Sequence, residues 1–302
     1  METVLISGGN GLVGRRLSEK LAEKGYTILI LTRSPESSAR FRNLLWDPEK
    51  SLIDPEAVAA ADHIVHLAGE NLGEKRWTKI RRQQIIDSRV KTGDLLFNKT
   101  RESGKAIKSF ISASAIGYYG SVTTEKIYSE SEPPANDFAA QVCKLWEHVA
   151  IKFEELGIRS VRIRSGIVLS PGGGALEKMT FITRIGLGSP LGRGDQYLPW
   201  IHIDDLCGIY VKAIEDKSIK GVYNAATPDY KTNREFTRTL ASVLHKPFIA
   251  PSVPEFVLKS LYGEMATMLL NGSRVSPEKI ISEGYSFLFP DLRNALIDVL
   301  KK

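Results

Sequence analysis

Gly8, Gly11 and Gly14 recur at a spacing of three between the apolar run TVLIS and a helical pattern that begins at Leu12. A strand that hands over to a helix through such a loop can cradle a pyrophosphate. Gly8 permits the tight turn off the strand, Gly11 has no Cβ to block the phosphate, and Gly14 lets the helix lie close to the sheet. The amides around Asn10, Leu12 and Val13 then open a helix whose N-terminal end is partially positive. Glycines also occur in plain turns, but the position straight after a strand and before a helix favours dinucleotide binding. The second apolar run, TILILT, ends in Thr32-Arg33-Ser34, with no acid before Glu36. An acid there would bond the ribose 2′-hydroxyl of NAD, whereas a guanidinium beside hydroxyls suits the 2′-phosphate of NADP. The expected cofactor is therefore NADP, against the plainer reading of Arg33 as a solvated surface arginine. Arg15 and Arg16 are expected to face solvent on the helix, with assistance at the 2′-phosphate as the alternative.

The elements that must hold this loop follow from periodicity. Thr3–Ser7 and Thr27–Thr32 are continuous apolar strands, as expected in a parallel sheet covered on both faces. Residues 12–24 show a helical period stopped by Gly25. Further strands are expected at 62–67, 109–114, 159–168 and 221–224, with helices over about 74–102, 136–156 and 204–215. Strands alternating with helices define an α/β fold, a doubly wound parallel sheet of Rossmann type. Beyond Val168 the chain becomes loop-rich and then helical, punctuated by Pro247, Pro251, Pro254, Pro277 and Pro290. The expected division is a Rossmann domain of residues 1–168 plus about 200–225, and a smaller C-terminal substrate lobe of about 169–199 and 226–302. Glu70 follows a strand at its C-terminal end, where ligands collect in such sheets, and is a cofactor-ribose or substrate contact on that ground. Arg164 and Ser165 end the strand at 159–168 and, with Val168, are expected to floor the nicotinamide site mainly through backbone groups. Gly172, Gly173 and Gly174 form a loop read as a plain connection, against the alternatives of a second anion site or a flexible lid. Asp204 is placed to cap the helix that follows it.

Composition narrows the class further. The 302 residues carry 42% hydrophobic and 25% charged residues, the balance of a soluble globular protein. The net charge of +6 comes from scattered Lys and Arg rather than a stripe, which argues against nucleic acid as a partner. With no long apolar run, no membrane span is expected. Cys143 and Cys207 form neither a CxxC nor a metal spacing, so no metal site is expected, and free thiols suit a cytoplasmic location. The start Met1-Glu2-Thr3, entering a strand at once, is read as lacking a signal peptide.

GGNGLVG, HLAGEN (66–71), SASAIGYYG (112–120) and WIHIDDL (200–206) resemble the extended short-chain dehydrogenase/reductases, the sugar-nucleotide epimerase-like proteins. RWTKIRRQQIIDSRVKT, VCKLWE, SGIVLSPGGGAL and GSRVSPEKIISEGYSFLFPDL are similar to one atypical subgroup, labelled NAD(P)-dependent epimerases or cell-division-inhibitor-like. The resemblance spans nearly the whole chain and implies a nicotinamide cofactor, a small-molecule substrate and, by analogy, a homodimer. It places Leu67, Ala68, Gly69 and Glu70 at the cofactor, with Arg89 and Gln84 of the following helix turned toward its phosphates or ribose; both can equally be polar residues on a charged helix.

The family's chemistry uses a Tyr-x-x-x-Lys pair, with a Ser or Thr orienting the substrate oxygen while the nicotinamide moves a hydride. Ser114 matches the Ser or Thr. The pair is absent: anchoring on Glu147 puts Cys143 at the lysine and Ala139 at the tyrosine, while using Lys144 instead puts Ala140 there. Tyr118 or Tyr119 is the candidate replacement acid, although both can instead pack as lids over the nicotinamide. Cys143 is expected to be buried and inert, and His202 structural. Two functions remain open: reversible hydride transfer at an alcohol or carbonyl carbon of an unidentified substrate, or a non-catalytic NADP-binding regulator or scaffold.

Overall fold

A computed structural model describes residues 1–35, 40–249 and 251–301; Glu36 lies outside the described residues. The chain runs β1 (Thr3–Ser7), α1 (Leu12–Glu23), β2 (Thr27–Thr32), β3 (Arg42–Asp47), β4 (Leu52–Ile53), α2 (Pro55–Ala59), β5 (His63–His66), α3 (Lys79–Ser103), β6 (Ser109–Ala115), β7 (Ile127–Tyr128), α4 (Phe138–Lys152), β8 (Arg159–Ser165), β9 (Ile167–Leu169), α5 (Gly174–Arg184), β10 (Trp200–His202), α6 (Ile203–Glu215) and β11 (Gly221–Ala225). It then continues through α7 (Asn233–Val243), α8 (Glu255–Tyr262), α9 (Ala266–Leu270), β12 (Arg274–Val275), α10 (Glu278–Ser282) and α11 (Leu292–Lys301). The main sheet has the order β11-β8-β6-β5-β1-β2-β3-β4. Every pairing in it is parallel except β3 with β4. This is the doubly wound Rossmann-type α/β fold.

The period-two geometry of the strands sorts their side chains into two cores. Val4, Ile6, Ile28, Ile30, Val65, Ile111 and Ile163 meet α1 and α6 on one face. Leu5, Leu29, Leu31, Ile64 and Phe110 meet α2, α3 and the turn Phe153–Leu156 on the other. A third cluster joins Leu169, Leu176, Trp200, Phe236, Leu240, Leu292 and Leu296, drawn from β9, α5, β10, α7 and α11. Among the described residues no helix is long and apolar enough to cross a membrane.

Several elements differ from the expectation. The strand expected over 159–168 breaks at Gly166, where an added Cβ would sit 2.6 Å from the Pro199 carbonyl oxygen. β8 therefore stays in the main sheet while β9 pairs with β10. The helix expected from about residue 74 starts at Lys79, because the Thr78 hydroxyl accepts from the Arg81 amide and fixes the cap there. Asp204 does not cap α6. His202 does, through Nδ1, and Asp204 instead pairs with Arg16 at 2.6 Å and Lys20 at 3.4 Å, tying α6 to α1. Arg16 is thus engaged rather than simply solvated.

His66 closes β5 from inside the protein. Its Nδ1 shares a 2.7 Å hydrogen bond with the Ser7 hydroxyl, and burial pushes its pKa down to about 4. The unfolded chain binds this proton near the ordinary value, so stability from His66 is full above about pH 6.5 and falls as the pH drops toward 4. The expected loss is about 2 kcal/mol by pH 5. Urea unfolding at pH 7 and pH 5 measures it, and His66→Gln should flatten part of the difference.

Candidate functional site

The C-terminal ends of β1, β2, β5, β6 and β8 converge on one edge of the sheet, where Gly8, Thr32, Leu67, Ser114 and Ser165 lie in or just beyond the strand ends. Gly8 adopts φ +75°, and an added Cβ would meet the Ala68 nitrogen and the Leu67 carbonyl carbon at 2.9 Å, so the glycine loop runs hard against the Leu67–Ala68 backbone. The Gly11 amide donates to the Gly8 carbonyl at 3.0 Å, and the Arg15 amide is the first to bond back to Gly11. Helix α1 has no side-chain cap and no acidic residue in its first turn, so the amides at Leu12, Val13 and Gly14 form an open, positively polarised end. Gly14 holds the helix against the loop itself: an added Cβ would lie 2.4 Å from the Gly8 oxygen and 2.6 Å from the Gly9 Cα. Gly14→Ala should therefore lower stability by about 1–3 kcal/mol, read as a shifted urea midpoint. At the end of β2, the buried Thr32 accepts from Asn10 Nδ2 at 3.4 Å and from the Ser34 amide at 3.3 Å. Arg33 and Ser34 are exposed beside them.

The segment after β5 is braced from beneath. Arg89 is buried, donates to the Ile85 carbonyl at 3.0 Å and to the Glu70 carbonyl at 2.9 Å, and lies 4.6 Å over the Trp146 ring. Burial lowers its pKa to about 10. An added Cβ on Gly69 would come within 2.9 Å of Arg89 Cζ, so the loop rests directly on the guanidinium. The Glu70 carboxylate pairs with Arg81 at 2.9 Å, and its amide donates to Ser88. Gln84 is exposed on α3 and is not drawn into this cluster.

Next to it lies a closed polar network. Ser114, 2% exposed, donates to Glu147 Oε1 at 2.7 Å. Arg164 grips the same carboxylate with Nε at 2.7 Å and Nη2 at 2.9 Å. Its Nη1 donates to the Tyr119 hydroxyl at 2.9 Å, which in turn donates to Asn224 Oδ1 at 2.6 Å. Burial pushes the Tyr119 phenol up to about 12. Tyr118 is half-buried, its ring centre 3.3 Å from Arg164 Cζ, and its hydroxyl makes no hydrogen bond among the described residues. Ser165 donates to the Ser114 carbonyl at 3.2 Å, and Val168 lies half-buried in β9. Of the residues expected at the nicotinamide floor, Arg164 thus sends its side chain inward, to Glu147 and Tyr119.

Ala139 and Cys143 on α4 both face the turn Ile116–Tyr119: an added Cβ on Gly117 would lie 3.4 Å from Ala139 Cβ and 3.8 Å from Cys143 Sγ. Neither position carries a phenol or an ammonium, and both side chains pack on that turn. Burial pushes the Cys143 thiol up to about 12, and Sγ donates to the Ala115 carbonyl at 3.5 Å. Glu147 and Asn224 had no assigned role in the sequence. A buried arginine needs a carboxylate, and Glu147, the one acid within the 15-residue FAAQVCKLWEHVAIK helix, was the available signal.

A seven-stranded parallel sheet, a glycine loop opening an uncapped helix, and an arginine ending the second strand define a dinucleotide-binding protein of the Rossmann class. The profile of the NAD dependent epimerase/dehydratase family matches residues 4–226, and that of a domain of unknown function, DUF1731, matches residues 253–299. The chain belongs to the NAD dependent epimerase/dehydratase family. It is 35% identical over 301 residues to the mouse epimerase family protein SDR39U1, covering 98% of this chain and 99% of the relative. The crystal structure of the human epimerase family protein SDR39U1 (isoform 2) with NADPH superposes with a TM-score of 0.88, at 32% identity and 99% coverage of both chains. A nucleoside-diphosphate sugar epimerase from Corynebacterium glutamicum gives a TM-score of 0.80 at 32% identity, covering 99% of this chain and 58% of that one.

Proposed function

We propose that the protein binds NADP(H) at the glycine loop and transfers a hydride reversibly between it and an alcohol or carbonyl carbon of a small molecule. The observation that carries this reading is the exposed Arg33 at the end of β2 beside the uncapped start of α1, in a chain 32% identical over 99% of its length to a human relative solved with NADPH. The residues suit the cofactor. Gly8, Gly11 and Gly14 keep the loop free of side chains, and the amides of Leu12 and Val13 would hold the pyrophosphate. Asn10, Thr32, Arg33 and Ser34 would hold the adenosine ribose and its 2′-phosphate. Leu67, Ala68, Gly69 and Glu70 would line the cofactor, with Arg89 holding that loop in place. Ser165 and Val168 would lie under the nicotinamide.

Bound NADPH supplies the hydride. The protein's own part is to place the substrate oxygen near Tyr118, whose uncommitted phenol gives it a proton as the carbonyl becomes an alcohol, and takes it back in the reverse direction. Ser114, Glu147, Arg164 and Tyr119 form the rigid platform under that ring. Family membership favours this reading over a non-catalytic regulator, and the two buried free cysteines support a cytoplasmic setting. The test is NADPH oxidation against a panel of aldehydes, ketones and quinones. Turnover with at least one of them supports the reading; tight NADPH binding with no turnover on any contradicts it.

A further inference from the structure

Arg76, Trp77 and Thr78 open the block RWTKIRRQQIIDSRVKT, and the chemistry derived above leaves them without a task. They face Tyr262, Gly263 and Glu264 across a cavity of about 330 Å³, so one wall leads into α3 and the other ends α8. The first wall belongs to the epimerase/dehydratase part of the chain and the second to the DUF1731 part. Two contacts place the cavity beside the candidate site. Trp77 meets Phe138, the first residue of α4, edge to face at 4.8 Å, and the next residue, Ala139, packs on Gly117, which precedes Tyr118. The Trp77 indole also donates to the Leu72 carbonyl at 3.0 Å, just beyond Glu70. One wall of the cavity thus touches both the loop that follows β5 and the helix on which the Tyr118 turn rests.

The charges here are unevenly spent. Arg81 pairs with Glu70 at 2.9 Å and Glu74 at 3.8 Å, and Arg82 pairs with Glu264 while lying 4.6 Å over the Phe138 ring. Arg76 has no carboxylate partner among the described residues. Its guanidinium lies against bare backbone: an added Cβ on Gly263 would sit 3.1 Å from Nη2 and 3.3 Å from Nε, at a residue with φ +59°. With Glu264 answered by Arg82, the cavity keeps one net positive charge, a planar fork of N–H donors beside an indole and a phenol. The Tyr262 hydroxyl, also without a hydrogen bond among the described residues, adds a further donor. Such a fork binds an oxyanion through paired N–H bonds, and flat rings suit the apolar group that carries it.

We propose that this cavity holds an oxyanion, a carboxylate or a phosphate, carried by the substrate, and that Arg76 selects for it. The assignment to a substrate rests on the hydride-transfer reading, in which the carbonyl carbon gains the hydride of NADPH and the oxygen a proton from Tyr118, giving an alcohol and NADP⁺. Oxyanion binding at Arg76 rests on the cavity itself.

Ligand-observed NMR titration of the NADP⁺-saturated full chain tests the cavity directly, with benzoate and its neutral analogue benzamide as probes. Benzoate is expected to bind at least about fivefold more tightly than benzamide. Arg76→Gln, a change at an exposed position, should bring the two within about twofold with NADP⁺ affinity unchanged, and Arg76→Lys should recover part of the preference, because an ammonium keeps the charge without the fork. Acetate and inorganic phosphate, added as competitors, show which oxyanion is preferred; displacement of benzoate by either supports the proposal, and displacement by neither overturns it. Equal affinity for benzoate and benzamide, or a preference untouched by Arg76→Gln, also overturns it. So does benzoate binding that NADP⁺ abolishes, since Arg76 would then serve the coenzyme. NADPH oxidation is followed in parallel with 4-carboxybenzaldehyde and benzaldehyde. A KM for the acid that rises at least about threefold in Arg76→Gln, with kcat and the benzaldehyde KM unchanged, ties the anion to the substrate. A KM untouched by the variant overturns that assignment. Turnover of neither aldehyde counts against hydride transfer alone, and the benzoate titration then decides the cavity.

Discussion

Glu147→Ala will lower the unfolding free energy by about 3–5 kcal/mol, the range for removing one partner of a buried ion pair. The carboxylate accepts three charge-assisted or hydroxyl hydrogen bonds, from Ser114, Arg164 Nε and Arg164 Nη2. Arg164 is 3% exposed, so its guanidinium cannot recover water when the carboxylate goes. The loss therefore reflects an orphaned buried cation more than a missing attraction. A double variant, Glu147→Leu with Arg164→Met, removes both charges and is expected to recover most of the loss. Urea unfolding of the wild type, the single variant and the double variant measures all three. A single-variant loss under about 1 kcal/mol would mean that the network is open to solvent and cannot serve as a rigid platform.

Tyr118→Phe is expected to lower kcat by about 10²–10⁴-fold while leaving NADPH affinity unchanged, once a substrate is in hand. The phenylalanine ring keeps the contact with Arg164, so the change removes a proton donor and little else. Tyr119→Phe makes the contrast. Its hydroxyl links Arg164 to Asn224, so deletion strips two buried partners and should appear as about 1–3 kcal/mol of lost stability before it appears in kcat. The comparison is made on kcat, KM and urea midpoints together. Full turnover in Tyr118→Phe would move the proton relay elsewhere.

What could be read ahead of the structure depended on how local its causes were. Thr3–Ser7 and Thr27–Thr32 are apolar throughout because both faces of their sheet are covered, and that signal lies wholly within each run. The glycine loop was legible for the same reason, since its turn and its helix start are set by adjacent residues. β3 was missed because Arg42–Asp47 alternates exposed and buried positions and its partner β4 has only two residues, so neither stands out from a polar surround. The break at Gly166 depends on the carbonyl of Pro199, and the cap of α6 on a histidine in a place where Asp204 is the commoner cap. Arg89 and Arg164 look alike in sequence, as basic residues near expected cofactor positions. Their actual work, bracing Glu70 against Trp146 and gripping Glu147, is set by residues far away in the chain that folding brings under them. The Cys143 and Ala139 positions showed that the usual pair is missing, and only the folded chain shows that both pack on the turn at Gly117.

The central claim is that the start of α1 and the end of β2 together hold a 2′-phosphorylated dinucleotide. Its most direct measurement is a calorimetric titration of the protein with NADPH and NADH, repeated on Arg33→Ala. NADPH should bind at least about tenfold more tightly than NADH, and the alanine variant should lose most of that preference while keeping its NADH affinity. Equal affinity for the two cofactors, a preference untouched by Arg33→Ala, or no binding of either by folded protein would contradict it.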